Sequence, residues 1–216
     1  MEIDIIFDTV CPWCFIGKKR LENALASRPN LSVTYNWKPF LLNPEMPPDG
    51  IDRTAYLIKK FGSEARINHI YGAIGEAGQS VEIDFAFERI HKTPNSVNSH
   101  RLVRFTASHG KTPGLVDTVV EDLFMEFFIN GRDIGDNDVL VEIGVGNGLD
   151  ESSLRAYLDS TDDVRLIYDE NIQAHRLGIN GVPSYAFNEK FLISGAQDPS
   201  VLARMLDVAA ATQTLT

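Results

Sequence analysis

The chain of 216 residues contains two cysteines, Cys11 and Cys14, separated by Pro12 and Trp13. Thiols at this spacing can close into a disulfide and reopen, or supply half of a metal site. Only a thiolate attacks a disulfide, and a thiol at the start of a helix is helped to ionise by free N–H groups and the helix dipole. With a helix opening at Pro12, Cys11 sits at that start and Cys14 lies one turn later on the same face. Cys11 then reads as the attacking thiol. Cys14 reads as the resolving thiol, placed to attack a mixed disulfide on Cys11 and release the substrate. The zinc reading needs four ligands. There is no second cysteine pair, and His69, His91, His100, His109 and His175 form no H-x-x-x-H pair. An inert pair of small apolar side chains is the remaining alternative.

The elements that must position this pair are legible around it. Residues 3–7 are an apolar run suited to a buried strand. A helix is expected from Pro12 to about Ser27, with Phe15, Leu21 and Leu25 inward and Lys18, Lys19 and Glu22 facing water. Proline at the first helical position loses nothing by lacking an N–H. Residues 32–38 alternate as a strand, which completes a β-α-β unit. After the loop at Asn43–Gly50, helices are expected near 52–61, 63–77, 95–109, 113–129, 136–143, 150–160 and 162–177. Gly62, Gly78, Gly110, Gly131 and Gly178 stand where C-terminal caps belong, and Ser63 and Asn95 where N-caps belong. Residues 81–87 are ambiguous between strand and extended loop. A hairpin around Asn188-Glu189-Lys190 and a helix from Asp198-Pro199 close the chain.

A second signal lies far from the cysteines, at Gly178-Ile179-Asn180-Gly181-Val182-Pro183-Ser184, where a helix ends, glycines permit a tight turn and a proline precedes a strand. Proline there can be plain punctuation, and most X–Pro bonds are trans. Gly144-Val145-Gly146-Asn147-Gly148 invites a nucleotide-loop reading. However, Leu149 stands where the third glycine belongs and no parallel strand precedes it, so a loop between helices is expected.

The formal net charge of −10 argues against a nucleic-acid backbone or an anionic membrane as partner. No stretch reaches the length of a membrane helix. The opening residues carry no basic segment before an apolar run, so they do not read as a signal peptide, and the cytoplasm is the expected location. Reducing compartments disfavour structural disulfides, which favours a redox role for the pair.

The segments Asp8-Thr9-Val10-Cys11-Pro12-Trp13-Cys14-Phe15-Ile16-Gly17-Lys18, Phe40-Leu41-Leu42-Asn43-Pro44, Ser99-His100-Arg101-Leu102, Gly178-Ile179-Asn180-Gly181-Val182-Pro183 and Ile193-Ser194-Gly195-Ala196-Gln197 resemble the DsbA superfamily, and within it the cytoplasmic FrnE-like branch. The resemblance implies an α/β architecture: a thioredoxin fold, residues 1–42 and 163–216, interrupted by an all-α helical insertion, residues 43–162. It implies thiol–disulfide oxidoreductase activity on disulfide-bearing proteins or on small thiols such as glutathione. No resident cofactor follows from it, although glutathione could enter as co-substrate, and the chain would be a monomer or homodimer. The relatives that are glutathione-dependent isomerases or transferases typically carry serine at the position of Cys11, so the dithiol here favours redox work. A binding module without catalysis is the third reading.

The resemblance further implies a cis Val182–Pro183 bond beside Cys11, with the Val182 backbone offered to an extended substrate and glutathione lying along Val182–Pro183 near Ala196 and Gln197. Trp13 would face outward as a platform for substrate or as a partly covered surface aromatic. His100 would cover the site or fill the interior. Asn43 would form a turn or cap, and Asp8 a turn. Ile5 occupies the strand position where thioredoxins bury a carboxylate, so a proton shuttle must be water or an acid from elsewhere.

Overall fold

The computed structural model of the chain describes residues 1–213. It opens with β1 (Glu2–Phe7), α1 (Pro12–Ala26) and β2 (Thr34–Pro39). A long inserted segment follows: β3 (Ile51–Asp52), α2 (Arg53–Phe61), α3 (Glu64–Gln79), a single 3-10 turn at Phe87–Arg89, β4 (Lys92–Thr93), α4 (Val97–His109), α5 (Leu115–Phe128), α6 (Asn137–Gly146) and α7 (Glu151–Asp159). The chain returns through α8 (Val164–Arg176), β5 (Ser184–Phe187), β6 (Phe191–Ser194) and α9 (Pro199–Gln213).

The main sheet has the order β2-β1-β5-β6. β1 runs parallel to β2, with Ile3 opposite Tyr35 and Phe7 opposite Pro39, and antiparallel to β5. Lying inside the sheet, β1 buries Ile3, Ile5, Ile6 and Phe7. This is why it reads as a continuous apolar run rather than an alternating one. The β5–β6 turn has positive φ at Asn188 and Glu189, 50° and 58°. These are the first two of the three residues between Phe187 and Phe191, and asparagine tolerates that left-handed conformation. The inserted segment adds one small ribbon to its helices, β3 paired with β4.

α1 lies between α9 on one side and α3 and α5 on the other. Phe15 is the main contact with α5. Its ring stacks on Phe124 at 5.1 Å and on Phe128 at 6.4 Å, and meets Phe85 edge-on at 6.1 Å. One buried apolar cluster runs without a break from Ile3 and Phe15 through Leu102, Phe124 and Leu154 to Phe187 and Leu206.

Several local expectations are corrected by packing. Lys18 does not face water. It is 5% exposed and ion-paired to Asp117 and Glu121 of α5, both at 3.0 Å, and to Glu22. The helical pattern of α1 alone cannot show that α5 covers this face. Gly78 is not a cap but lies inside α3, where a Cβ would strike the Phe85 ring at 2.6 Å. Residues 81–87, open between strand and extended loop in the sequence, form a turn and an extended stretch, the second of those alternatives, with Val81 and Ile83 buried. The cap of α4 is Ser96, and Asn95 accepts a hydrogen bond from the Val97 N–H at 2.9 Å. Gly144 and Gly146 continue α6 instead of forming a loop, and the turn comes at Gly148, with φ of 81°.

Candidate active site

β1 ends at Phe7, and four residues later Cys11 caps α1, with Pro12 in the first helical turn. The Cys11 N–H donates to the Asp8 carbonyl at 3.0 Å, and the Cys14 N–H donates to the Cys11 carbonyl at 3.0 Å. The linker is therefore a tight turn that fixes the attacking position at the helix mouth. Both thiols are free and both are buried, Cys11 at 4% exposure and Cys14 at 2%. Burial raises the Cys14 thiol well above its ordinary value, and hydrogen bonding with Cys11 and the charge on Cys11 push it further up. The Asp8 N–H on the Cys14 sulfur works in the opposite direction. The Cys11 thiol donates to the Val182 carbonyl at an S···O distance of 3.7 Å.

Val182–Pro183 is cis. The loop closes on α1 because Gly17 has no side chain. A Cβ there would collide with the Tyr185 hydroxyl and approach Pro183 Cγ to 2.8 Å. Behind the proline, the Gly195 N–H donates to the Pro183 carbonyl at 2.7 Å, and Arg20 of α1 donates to the Ala196 carbonyl at 2.6 Å. The Gln197 side-chain amide turns back to the Ser194 carbonyl at 2.7 Å. Ala196 and Gln197 thus form the turn that supports the proline loop. Trp13 is 37% exposed beside the cysteines.

The segment Ser99-His100-Arg101-Leu102 is buried on every side of α4, and each polar member has a distinct neighbour. The Ser99 hydroxyl meets the Thr9 hydroxyl at 2.7 Å. Arg101 donates to the carbonyls of Tyr157, Leu158, Ser160 and Asp162, and so closes the C-terminal end of α7. His100 packs edge-on against Phe7 at 4.9 Å, and its Nε2 lies 3.5 Å from Asp8 Oδ1. At 2% exposure it lies in the interior beside Asp8.

Asp8 does form a turn, accepting from the Val10 N–H at 3.3 Å. It is also wholly buried, and it ties the loop after β2 to the site by accepting from the Leu42 N–H at 2.8 Å. Asn43 accepts from the Tyr56 hydroxyl and, through its carbonyl, from the Met46 N–H, so it serves the following loop. Sequence reasoning missed Tyr185, a fully buried side chain whose hydroxyl has no hydrogen-bond partner among the described residues. Burial raises its phenol well above the ordinary value, and the nearby Cys14 and Cys11 add to the rise. Its place two residues after Pro183 was the available signal.

The DSBA-like thioredoxin domain model matches residues 2–207. The chain belongs to that family. The solved probable DsbA oxidoreductase SCO1869 from Streptomyces coelicolor is 26% identical to this DSBA-like protein, with a TM-score of 0.86 over 98% of this chain and 90% of that one. The uncharacterized protein YwbO of Bacillus subtilis (strain 168) is 26% identical over 211 residues, which is 95% of this chain and 96% of YwbO. The cytosolic disulfide reductase DsbM from Pseudomonas aeruginosa, solved with GSH, shares the fold at 16% identity and a TM-score of 0.69, covering 98% of this chain and all of that one (100%). Among the described residues of this DSBA-like chain, no helix is long and apolar enough to cross a membrane, and no group of three or more His, Cys, Asp or Glu is placed to hold a metal.

Proposed function

We propose that this DSBA-like protein exchanges disulfides through Cys11 and Cys14, acting on a protein or a small thiol such as glutathione. The observation that carries the reading is the meeting of the Cys11 sulfur, at the mouth of α1, with the Val182 carbonyl just before Pro183. An extended substrate chain laid along Val182 brings its disulfide to that sulfur, a form of strand addition. Attack by Cys11 breaks the substrate disulfide and leaves one half bound to Cys11. Cys14, held one turn away at high effective concentration, then forms the Cys11–Cys14 bond and expels the second half as a thiol. Trp13 offers the exposed apolar surface beside this route. The cytosolic reductase among proteins of the same fold, and its structure with GSH, favour reductive or isomerising work with small thiols in the cytoplasm.

Paired assays of insulin reduction and glutathione conjugation, run on three forms of the protein, test this reading. The wild type reduces insulin. Cys11→Ser has no activity, because a serine hydroxyl is not appreciably ionised near neutrality. Cys14→Ala attacks but cannot release, and mass spectrometry of the protein recovered from cells finds glutathione or partner proteins on Cys11. Turnover that survives both substitutions rules the reading out.

A further inference from the structure

Two arginines of the inserted segment are buried, and they are served very differently. Arg101, 1% exposed, gives its N–H groups to the carbonyls that close α7 and to the Asn98 side chain. A helix C-terminus is the negative end of the helix dipole, so this guanidinium is well placed. Arg53, 8% exposed, is the first residue of α2 and so stands at the positive end of a helix. Its Nε and Nη2 donate to the Tyr71 hydroxyl at 3.2 and 2.9 Å, and its Nη1 donates to the Thr93 hydroxyl at 3.2 Å. These bonds use three of the five N–H groups of a guanidinium. Among the described residues no carboxylate pairs with Arg53, and the Tyr71 ring, 6.0 Å from the guanidinium carbon, is a weak substitute. Arginine cannot shed its charge in a protein, and a buried charge without a counter-ion is costly.

Arg53 lines a recess of about 340 Å³ between α2, α3 and the turn at Phe87–Arg89. The covered part of this recess is otherwise apolar: Leu57, Ile67 and Ile90 are buried and Phe87 is partly so. Its other polar members, Asp52, Thr54, Glu64, Asn68, Glu88 and His91, are exposed. Three of those are carboxylates. Solvent screens them, yet they oppose phosphate and other multivalent anions. The volume is at the small end for ligand pockets. A buried cation set in an apolar lining suits a molecule with an apolar body and one carboxylate.

None of these residues belongs to the cysteine turn or to the Val182–Pro183 loop. Tyr71 stacks on Phe87 at 4.1 Å, Phe87 on Phe85 at 4.9 Å, and Phe85 meets Phe15 of α1 edge-on at 6.1 Å. Packed rings thus run from the recess to α1, and the recess is a site of its own. We propose that it binds a small apolar monocarboxylate, whose carboxylate takes the two N–H groups that Arg53 has left and whose body rests on Leu57, Ile67, Phe87 and Ile90. The carboxylate completes the hydrogen bonding of the guanidinium and neutralises it, and charge-assisted bonds of this kind are the strong ones.

The probe is 3-phenylpropionate, titrated into the full-length, ¹⁵N-labelled protein and followed by NMR. Saturable shifts are expected at the amides of residues 53–57, 64–71 and 87–91. The amide 3-phenylpropionamide has the same shape without the charge, and it should bind roughly tenfold more weakly or worse, the scale of one hydrogen bond to a charged group. Arg53→Lys keeps the charge but loses the fork, and should weaken 3-phenylpropionate by a similar factor. Arg53 also braces Tyr71 and Thr93, so a second variant guards against lost structure. Glu64→Gln combined with Glu88→Gln, both at exposed positions, should tighten 3-phenylpropionate about two- to fivefold, the range of exposed charge interactions, and leave 3-phenylpropionamide unchanged. Wild-type protein without saturable shifts in these three segments overturns the site. Equal binding of the acid and the amide removes Arg53 as its anion receiver and overturns it as well. Inorganic phosphate that displaces the probe at equal concentration overturns the ligand class.

Discussion

Two buried polar regions flank α1, and they are built on opposite lines. Midway along the helix, Lys18 is enclosed by Glu22, Asp117 and Glu121, with Lys19 bridging Glu121 and Glu22. Burial by itself would lower the Lys18 ammonium, but Asp117, Glu22 and Glu121 outweigh it and hold it well above the ordinary value. At the helix mouth, Asp8, His100 and Tyr185 lie among apolar neighbours, and His100 Nε2 and the Tyr185 hydroxyl lack hydrogen-bond partners among the described residues. The first region is dense in opposite charges and fastens the inserted helices to the thioredoxin-like core. Each region keeps buried polar atoms without a hydrogen-bond partner among the described residues, Asp117 Oδ1 and Glu121 Oε2 in the first and His100 Nε2 and the Tyr185 hydroxyl in the second. The difference lies in charge: the first is a network of ion pairs, and the second sets a few polar groups among apolar side chains.

Breaking the first region has the largest expected effect. Lys18→Met leaves Asp117 without its cation and Glu121 with Lys19 alone, and removing one partner of a buried ion pair costs about 3–5 kcal/mol. Urea unfolding should show a lower midpoint. Lys18→Met combined with Asp117→Asn should recover part of the loss, because one of the stranded charges is then gone. Full wild-type stability in the single variant would show that the network contributes nothing.

At the helix mouth the next effect is steric. Gly17→Ala drives a methyl group into the Tyr185 hydroxyl and Pro183, and overpacking of this kind costs about 1–3 kcal/mol. Adding Tyr185→Phe to Gly17→Ala should restore only part of the stability, since the clash with Pro183 remains. Equal costs in the two backgrounds would mean that the hydroxyl is not the obstacle.

The third effect depends on pH. The folded Cys14 thiol holds its proton more tightly than an unfolded one. Above the ordinary thiol value of ~8.5 the unfolded chain therefore sheds a proton that the folded chain keeps. Stability is intact below that pH and falls as pH rises toward the folded value, by up to about 1.4 kcal/mol per pH unit for the one group. Denaturant midpoints of the wild type and Cys14→Ala, compared between pH 8 and 10, should converge as pH rises. A constant difference would remove Cys14 from the balance. The smallest effect belongs to Tyr185→Phe alone. Deleting a hydroxyl without a partner should leave stability unchanged or raise it by up to about 1 kcal/mol.

Much of the helix mouth was legible because its signals are local. A proline after Cys11 and a spacing of one turn to Cys14 suffice to orient two thiols at a helix start. The hairpin at Asn188-Glu189 and the Gly62 cap follow from backbone freedom at single residues. The environment of Lys18 was not legible, because its amphipathic pattern was judged on α1 alone while Asp117 and Glu121 stand about a hundred positions away. The same limit hid the Asp8–His100 approach, since each residue alone reads as a turn former or an interior histidine. Gly17 and Gly78 make the same point. The space each leaves is occupied by Tyr185 and Pro183 in one case and by Phe85 in the other, and neither identity is written near the glycine.

The unbroken apolar cluster from Ile3 to Leu206 also governs how the protein moves. A hinge needs an interface that can part, and parting α5 from α1 would wet the stacked rings of Phe15, Phe124 and Phe128, at roughly 1.5–3 kcal/mol for each side chain exposed. Domain closure on the microsecond-to-millisecond scale therefore has no joint to use here. The elements nearest the buried Cys11 sulfur are the loop that ends at Val182–Pro183, whose carbonyl it meets, and the partly exposed Trp13.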